Sequence, residues 1–232
     1  MKKPVNHIKI AMDGPAGSGK STVAQKVAEK LGLLYLDSGA MYRAVTVLAI
    51  ENGVETNIPE LIKLVKNCHI EFSENGKSIF LNSEDISTQI RTPEVNTLVA
   101  DIAKIQQIRI EIVRHQRRIG EEGSIIAEGR DLTTIVFPDA DYKFYLDASV
   151  KERAKRRYEE LQSQNVNTTL EFVEEAIRTR DEKDTTREHS PLRTSQDAIR
   201  VDTTGKTIDE VVDYIISKVS TENYQHRTEK KD

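Results

Sequence analysis

Short apolar runs alternate with segments of helical periodicity along most of the chain. The run Ile8–Met12 is typical of a buried strand. The next segment places apolar residues on one helical face until Gly32 ends the pattern: Val23, Val27 and Leu31. Similar strand-like runs lie at 33–36, 124–127 and 142–146. This alternation predicts an α/β fold in which a five-stranded parallel sheet has helices on both faces.

A segment from about 58 to 100 interrupts the alternation. It contains a predicted helix that ends near Cys68, followed by two short strands, Ile70–Phe72 and Ile79–Leu81. The pair Asn75-Gly76 between these strands favours a hairpin turn. We therefore predict one domain over 1–232 that carries an insertion able to move relative to its core.

Helix ends are marked in several places. Thr92 and Pro93 favour a helix start, and we predict one long helix from there to near Gly120. Capping boxes are predicted for three more helices, at Ser149 with Glu152, Thr168 with Glu171 and Thr207 with Glu210. The polar residues 220–232 predict a disordered tail.

The loop after the first strand has the spacing of a phosphate loop, with a glycine, four residues and then Gly-Lys-Ser. Backbone N–H groups of such a loop converge on phosphate oxygens, and the next helix adds its positive dipole end. We predict that Lys20 contacts the outer phosphates and that the Ser21 hydroxyl binds the Mg²⁺ that accompanies ATP. The predicted ATP site consists of Gly14, Pro15, Ala16, Gly17, Ser18, Gly19, Lys20, Ser21 and Thr22.

The net charge and the composition limit the classes of function that this chain can have. A net charge of −4 argues against a general nucleic-acid-binding protein, which needs a basic face. The single cysteine, Cys68, excludes an internal disulfide, and no apolar run approaches a membrane span, so a cytoplasmic protein without membrane or nucleic-acid partners is expected. We take a monomer as the default. Twelve of the sixteen arginines lie between Arg109 and Arg193, although we expect the solvated side of a long helix to hold Arg114, Arg117 and Arg118.

Two missing features favour a kinase among phosphate-loop proteins. The chain has no Asn-Lys-x-Asp segment for guanine, and no apolar strand ends in the Asp-Glu pair of many ATPases. Transfer between two nucleotides gathers negative charge, so arginines are expected to outnumber acid-base groups. Two alternatives remain: a kinase for another small molecule, and a nucleotide-binding module without catalysis.

Six segments carry a closer resemblance: 13–20, 36–43, 90–95, 128–131, 136–140 and 180–184. Their sequences are Asp-Gly-Pro-Ala-Gly-Ser-Gly-Lys, Leu-Asp-Ser-Gly-Ala-Met-Tyr-Arg, Ile-Arg-Thr-Pro-Glu-Val, Glu-Gly-Arg-Asp, Val-Phe-Pro-Asp-Ala and Arg-Asp-Glu-Lys-Asp. The chain resembles the bacterial cytidylate kinases of the nucleoside monophosphate kinase family. This resemblance implies a P-loop NTPase three-layer fold, an NMP-binding insertion at about 58–100, a short lid at about 153–169, and transfer of the γ-phosphoryl group of ATP to CMP and dCMP.

The resemblance also implies a role for individual residues. The catalytic set is Lys20, Arg130, Arg153 and Arg157. The CMP-binding set is Asp37, Ser38, Arg43, Arg109, Arg130, Asp131, Arg180, Asp184 and Arg187. Within it, three arginines hold the phosphate (Arg43, Arg130 and Arg187), two residues hold the sugar (Arg180 and Asp184), and two hold the base (Arg109 and Asp131). Where the family pattern leads us to expect a hydroxyl residue beside the base, this chain has Ala100.

Overall fold

The computed structural model describes residues 7–73 and 76–219. The predicted tail at 220–232 and Asn75 of the predicted hairpin turn lie outside these residues. The strands are β1 (Lys9–Asp13), β2 (Leu34–Asp37), β3 (Ile70–Phe72), β4 (Ile79–Leu81), β5 (Glu84–Asp85), β6 (Ile125–Gly129), β7 (Tyr142–Asp147) and β8 (Ile199–Asp202). The helices are α1 (Lys20–Leu31), α2 (Ser38–Glu51), α3 (Ile58–Asn67), α4 (Pro93–Ile102), α5 (Gln106–Glu122), α6 (Val150–Ser163), α7 (Leu170–Thr186) and α8 (Ile208–Val219).

The main sheet has five parallel strands in the order β2-β6-β1-β7-β8. Two apolar clusters cover its faces. One includes Val23 of α1 and Val212 of α8, and the other includes Met41 of α2 and Ile112 of α5. The predicted α/β fold with a sheet between two helical layers is confirmed. Since the carboxyl ends of parallel strands share one edge, Asp13, Asp37, Gly129 and Asp147 end their strands at the same edge.

The edge strand β8 had no predicted bounds. Burial alternates along it, with Val201 buried between the exposed Arg200 and Asp202, but over four residues only. A four-residue edge strand with one buried apolar side chain gives little periodic signal. Its position beside β7 is decided by the packing of the sheet.

The predicted single helix from Pro93 to near Gly120 is wrong. The structure has α4 and α5 there, separated at 103–105. No glycine or proline marks the break, and Ile105 interrupts the helix with an extended backbone, at ψ 113°. The break leaves the Ala103 carbonyl free to accept the Arg109 guanidinium at 3.0 Å. A tertiary contact therefore stabilises a helix end that the helix propensities of the local residues do not predict.

Helix α2 begins three residues before the predicted start at Met41. The Asp37 carboxylate accepts the Ala40 N–H at 2.9 Å, so the predicted polar turn is the cap and first turn of the helix. The cap of α7 is Thr169 and not Thr168. The box of Thr207 with Glu210 is confirmed in both directions. Ser149 caps α6, but its own N–H donates to Thr204 instead of Glu152.

The segment at 58–100 holds α3, the three-stranded antiparallel sheet β3-β4-β5 and most of α4. Gly76, which lies between β3 and β4, approaches the main sheet closely: a Cβ on Gly76 would lie 2.1 Å from the Tyr35 carbonyl oxygen. The two-stranded pairing of Ile70–Phe72 with Ile79–Leu81 is confirmed. The Gly76 backbone thus packs against β2.

Gly76→Ala tests this close approach, with Gly53→Ala as its matched control. Both glycines have positive φ, at +68° and +62°, but a Cβ on Gly53 meets nothing within 4 Å. We expect Gly53→Ala to cost about 1 kcal/mol of unfolding free energy from backbone strain alone. Gly76→Ala adds a backbone overlap and is expected to cost about 2 kcal/mol more. Urea titration measures both, and equal losses would contradict the packing of the Gly76 backbone against β2.

Candidate functional site

The phosphate loop connects β1 to α1, as its position in the sequence predicts. Lys20 is the first residue of α1 and is 5% exposed. Its ammonium group donates to the Pro15 carbonyl at 2.8 Å, so it folds back over the loop. Burial, together with the nearby Arg130, lowers the pKa of Lys20 to about 7. An anion bound in the loop would favour the charged lysine.

Ser21 and Glu128 form a pair of oxygen ligands beside the loop. The Ser21 hydroxyl donates to the Glu128 carboxylate at 2.7 Å, and the buried Tyr35 hydroxyl lies 3.4 Å from the same oxygen. Hydroxyl and carboxylate oxygens are ligands that Mg²⁺ accepts, with phosphates and water completing its shell. The described residues contain no group of three or more His, Cys, Asp or Glu able to hold a metal. Ser21 and Glu128 are the residues beside the loop that could offer oxygen ligands to Mg²⁺.

Arg109 and Asp131 form a buried ion pair, with 4% and 3% of their side chains exposed. The Arg109 guanidinium also lies over the Tyr42 ring, 5.1 Å from its centroid. The resemblance to the cytidylate kinases implied that these two residues hold the base together. The structure brings them into contact across twenty-two positions of sequence separation.

Arg130 joins the end of β6 to α7 through a 2.7 Å ion pair with Asp184. Burial alone would raise the pKa of Asp184, but Arg130 outweighs it and holds that pKa below its usual value. Burial and the neighbouring Arg130 lower the pKa of Arg180, and Arg43 and Arg157 act in the same direction. Burial and Arg109 likewise lower the pKa of Arg187. Guanidinium groups therefore disfavour one another's charge at Arg180 and Arg187, which favours an anionic ligand there.

Some buried polar side-chain atoms do not form hydrogen bonds within the protein. Four buried side-chain atoms of the described residues have no hydrogen-bond partner: Arg109 Nε, Gln116 Oε1, Asp181 Oδ1 and Arg187 Nη2. Buried polar groups are usually satisfied, so a cluster of exceptions indicates where a polar ligand binds. Two of the four residues belong to the predicted acceptor site, namely Arg109 and Arg187.

Gln116 is a site residue that the sequence analysis missed. It is fully buried on α5 and donates to the Ser38 hydroxyl at 2.8 Å. Its neighbours one turn away, Ile112 and Ile119, are core residues. A polar residue on this apolar face was the signal that could have identified it. Asp37 is also explained by structure: it caps α2, and burial followed by the nearby Glu128 raises its pKa to about 6.

Arg153 and Arg157 lie on α6 but occupy different environments. Arg153 is 4% exposed, donates to the Ala16 carbonyl at 3.0 Å and pairs with Asp181 at 2.7 Å. A Cβ on Gly17 would lie 3.2 Å from the Arg153 Cβ, so α6 packs directly on the phosphate loop. Arg157 is half-exposed and pairs with Glu160.

Two other arginines donate to loop residues that the sequence does not point to. Arg156 donates to Thr203, whose hydroxyl donates to the Ser18 carbonyl of the phosphate loop. Arg117 is exposed on α5, as predicted, and its guanidinium also donates to the Ile135 and Val136 carbonyls at 2.7 and 3.0 Å. Their long side chains reach backbone carbonyls that helical periodicity does not locate.

None of the described helices is long and apolar enough to cross a membrane. In comparisons with known proteins, residues 10–221 match the family model described as cytidylate kinase. A cytidylate kinase of Clostridioides difficile (strain 630) is 49% identical over 217 residues, covering 93% of this chain and all of that protein. A cytidylate kinase of Bacillus cereus (strain ATCC 10987 / NRS 248) is 47% identical over 92% of this chain and 96% of its own.

Among solved structures, an uncharacterized protein from Eubacterium ventriosum ATCC 27560 aligns with a TM-score of 0.54 at 15% identity. The alignment covers 93% of this chain and 100% of that one, and it supports the fold alone. The family match spans the phosphate loop, the Arg109–Asp131 pair and the Arg130–Asp184 pair. On that match and on the identity to two curated relatives, the chain belongs to the cytidylate kinase family.

Proposed function

We propose that this protein transfers the γ-phosphoryl group of ATP to CMP, and also to dCMP, giving CDP or dCDP and ADP. Membership of the family makes it a phosphotransferase that acts on CMP with a nucleotide donor. ATP as that donor, dCMP as a second acceptor and a place in pyrimidine nucleotide metabolism are parts of the proposal. The observation that carries it is the group of arginines beside the end of β6, where desolvation and the neighbouring Arg130 and Arg109 lower the pKa of Arg180 and of Arg187 respectively.

The donor phosphates bind in the loop at 14–22, where backbone N–H groups and Lys20 neutralise them. Mg²⁺, held through Ser21 and the phosphates, supplies charge neutralisation at the phosphate oxygens when bound. Arg43, Arg130 and Arg187 hold the acceptor phosphate, and Arg180 with Asp184 holds the sugar. Arg153 and Arg157 stabilise charge on the transferring group, because phosphoryl transfer relies on positioning and electrostatics.

Two regions close over the bound substrates in the proposed reaction. The insertion at 58–100 covers the acceptor, and the segment at 153–169 forms the lid over the donor. Arg153 already contacts the phosphate loop, whereas Arg157 lies near Arg180, so one helix touches both halves of the site. The free cysteine Cys68 fits a cytoplasmic enzyme. A monomer is proposed, and sedimentation equilibrium measures it directly.

The two lid arginines differ in what their removal is expected to change. Arg153→Ala and Arg157→Ala are both expected to lower kcat by about 10³-fold, since each supplies charge to the transition state. Arg153→Ala also breaks a buried ion pair and is expected to cost about 2 kcal/mol of unfolding free energy. Arg157→Ala leaves stability within about 0.5 kcal/mol, because its pair is half-exposed. Steady-state kinetics and thermal denaturation of the same samples test this, and unaltered turnover would make both residues structural.

Base selection follows from the Arg109–Asp131 pair. Cytosine offers acceptors at O2 and N3 and a donor amine at position four, which match a guanidinium and a carboxylate. Uracil places a carbonyl oxygen opposite Asp131, and such an unpaired buried group costs about 1–3 kcal/mol. Ala100 is exposed on α4 and carries no hydroxyl, so the pair bears the selection.

Asp131→Asn is therefore expected to lower the CMP-over-UMP ratio of kcat/KM by about 10-fold to 100-fold. The amide can donate to the uracil oxygen, and it no longer accepts the cytosine amine as a carboxylate does. Asp139→Asn changes an exposed aspartate nearby and serves as the control. An unchanged preference in a folded Asp131→Asn protein would refute the base assignment.

A coupled assay with ATP and Mg²⁺ tests the function as a whole. Its acceptor panel is CMP, dCMP, UMP, AMP and shikimate. We expect turnover with CMP and dCMP, little with UMP and none with AMP or shikimate. Activity only with another acceptor would identify a different small-molecule kinase, and nucleotide binding without turnover would identify a binding module. Replacing ATP by GTP, CTP and UTP measures the donor preference in the same assay.

A further inference from the structure

Asp13 is a buried acid that the proposed mechanism does not use. It is the last residue of β1, and its side chain has no exposed surface. One carboxylate oxygen accepts the N–H of Leu132 at 2.9 Å. The other accepts both the N–H and the hydroxyl of Thr133, at 2.8 and 2.7 Å. The strand that leads into the phosphate loop is thus bonded to the residues that follow Arg130 and Asp131.

These bonds are of the kind that cap a helix. Leu132–Val136 forms one π-helical turn, and its first N–H groups have no acceptor within the turn. Asp131 occupies the N-cap position, where an aspartate ordinarily accepts such N–H groups with its own carboxylate. Asp131 makes no capping bond here. Its carboxylate pairs with Arg109 instead.

The two aspartates therefore divide two tasks. Asp13 supplies the cap from a neighbouring strand, at a sequence separation of 119 to 120 residues. Asp131 keeps its carboxylate for Arg109. If Asp13 stopped accepting, the N–H groups of Leu132 and Thr133 would be buried without partners, which is unfavourable. The nearest alternative acceptor by position is the Asp131 carboxylate, and its use as a cap would break the pair with Arg109.

We propose that Asp13 is a positioning residue for acceptor selection, because its capping of the turn at 132–136 leaves Asp131 free to face Arg109 and the acceptor base. The inference rests on the proposed function, since it assigns base reading to the Arg109–Asp131 pair. It goes further in naming a residue next to the donor loop as a determinant of acceptor choice. Its consequence is specific: loss of Asp13 affects the acceptor base more than the donor.

Asp13→Asn tests this role, because it keeps the size of the side chain and replaces one acceptor oxygen with an NH₂ group that faces N–H and O–H donors. We expect the CMP-over-UMP ratio of kcat/KM to fall by about 10-fold and KM for CMP to rise by about 10-fold. KM for ATP is expected to change by less than about 3-fold, since the loop itself is untouched. A change in KM for ATP with an unaltered CMP-over-UMP ratio would overturn the proposal and assign Asp13 to the donor loop.

A double-mutant cycle with Asp131→Asn separates a positioning role from a general structural one. If Asp13 acts through Asp131, the double variant has the same CMP-over-UMP ratio as Asp131→Asn alone. A further fall of about 10-fold in the double variant would show independent action and would overturn the proposal. Circular dichroism and thermal denaturation establish that each variant is folded.

Thr133→Val removes only the hydroxyl donor and leaves both N–H bonds to Asp13. We expect a smaller fall in the ratio, about 3-fold, and no change for Thr134→Val, the control one residue away. If Asp13→Asn does not fold, an unchanged ratio in Thr133→Val overturns the proposal. Wild-type protein that fails to phosphorylate CMP refutes the proposed function and this inference with it. A selective wild type with equally selective, folded variants refutes only the role of Asp13.

Discussion

Arg130→Met is expected to lower kcat/KM for CMP by about 10³-fold, because it removes the guanidinium that we propose to contact the acceptor phosphate and to balance charge in the transition state. Arg130 directly follows β6 and is held by Asp184 at 2.7 Å, so its orientation is fixed before the substrate binds. A preorganised charge needs no rearrangement during the reaction, which makes its loss costly. Methionine keeps the apolar stem and removes only the charge and the donors.

The structure supplies a way to separate this loss from misfolding. Arg130→Met leaves the partly buried Asp184 without its ion-pair partner, so some loss of unfolding free energy is expected alongside the kinetic effect. Arg130→Met combined with Asp184→Leu removes that unpaired charge and is expected to recover stability but not activity. Arg200→Met is the control, since Arg200 is 67% exposed and pairs loosely with Asp147 at 3.4 Å. Recovery of turnover in the double variant would contradict a direct role for Arg130.

Lys20→Met is expected to lower kcat by about 10³-fold while leaving the folded protein as stable as the wild type or more so. The catalytic loss follows from the proposed role of Lys20, since the variant lacks the charge proposed to contact the outer phosphates. The stability result follows from the pKa of Lys20, which burial and Arg130 lower to about 7. An ammonium that is buried at this cost destabilises the unliganded fold, and methionine removes the cost.

The lowered pKa of Lys20 also determines how the difference in stability between the wild type and Lys20→Met depends on pH. Between pH 7 and the usual pKa of lysine, near 10.5, the unfolded chain binds the proton and the folded protein does not. The free energy of unfolding of the wild type therefore rises relative to that of Lys20→Met as the pH increases through this window. The stability advantage of Lys20→Met over the wild type is largest below pH 7. Urea titrations at pH 6.5 and about pH 9.5 measure it. Lys26→Met, on the exposed side of α1, is the control and should retain activity.

Nucleotide binding is expected to reverse the shift, because phosphate charge favours the ammonium. Binding of ATP near pH 7.5 should then take up protons, as measured by calorimetry in buffers with different ionisation enthalpies. Lys20→Met removes this uptake. An uptake that persists in Lys20→Met would assign the proton to another group.

Much of this protein is encoded locally. The phosphate loop is a sequence of eight residues whose glycines, lysine and serine each have a physical requirement, so strand, loop and helix were all predictable together. The buried strands were found because both of their faces lie in the core and their apolar runs are continuous. The pairing of Arg109 with Asp131 came from the family resemblance, because no local pattern links positions so far apart.

Other features depend on contacts that no local pattern contains. The break between α4 and α5 has no glycine or proline, and it is stabilised where the Ala103 carbonyl accepts Arg109. The spacing of Arg153 and Arg157 predicts a shared helical face, yet burial differs because Asp181 of α7 and Ala16 of the loop engage only Arg153.

The role of Asp13 is an example of a feature that the tertiary structure decides and the sequence alone does not. By itself the sequence determined the phosphate loop, the alternation of strands and helices, and the residue types able to bind two nucleotides. Only the tertiary structure decided which aspartate caps the turn after β6 and which one is left to face Arg109. The reason is physical: hydrogen bonds and ion pairs between distant segments depend on where the sheet order places β1 beside β6, and that order follows from packing of the whole core.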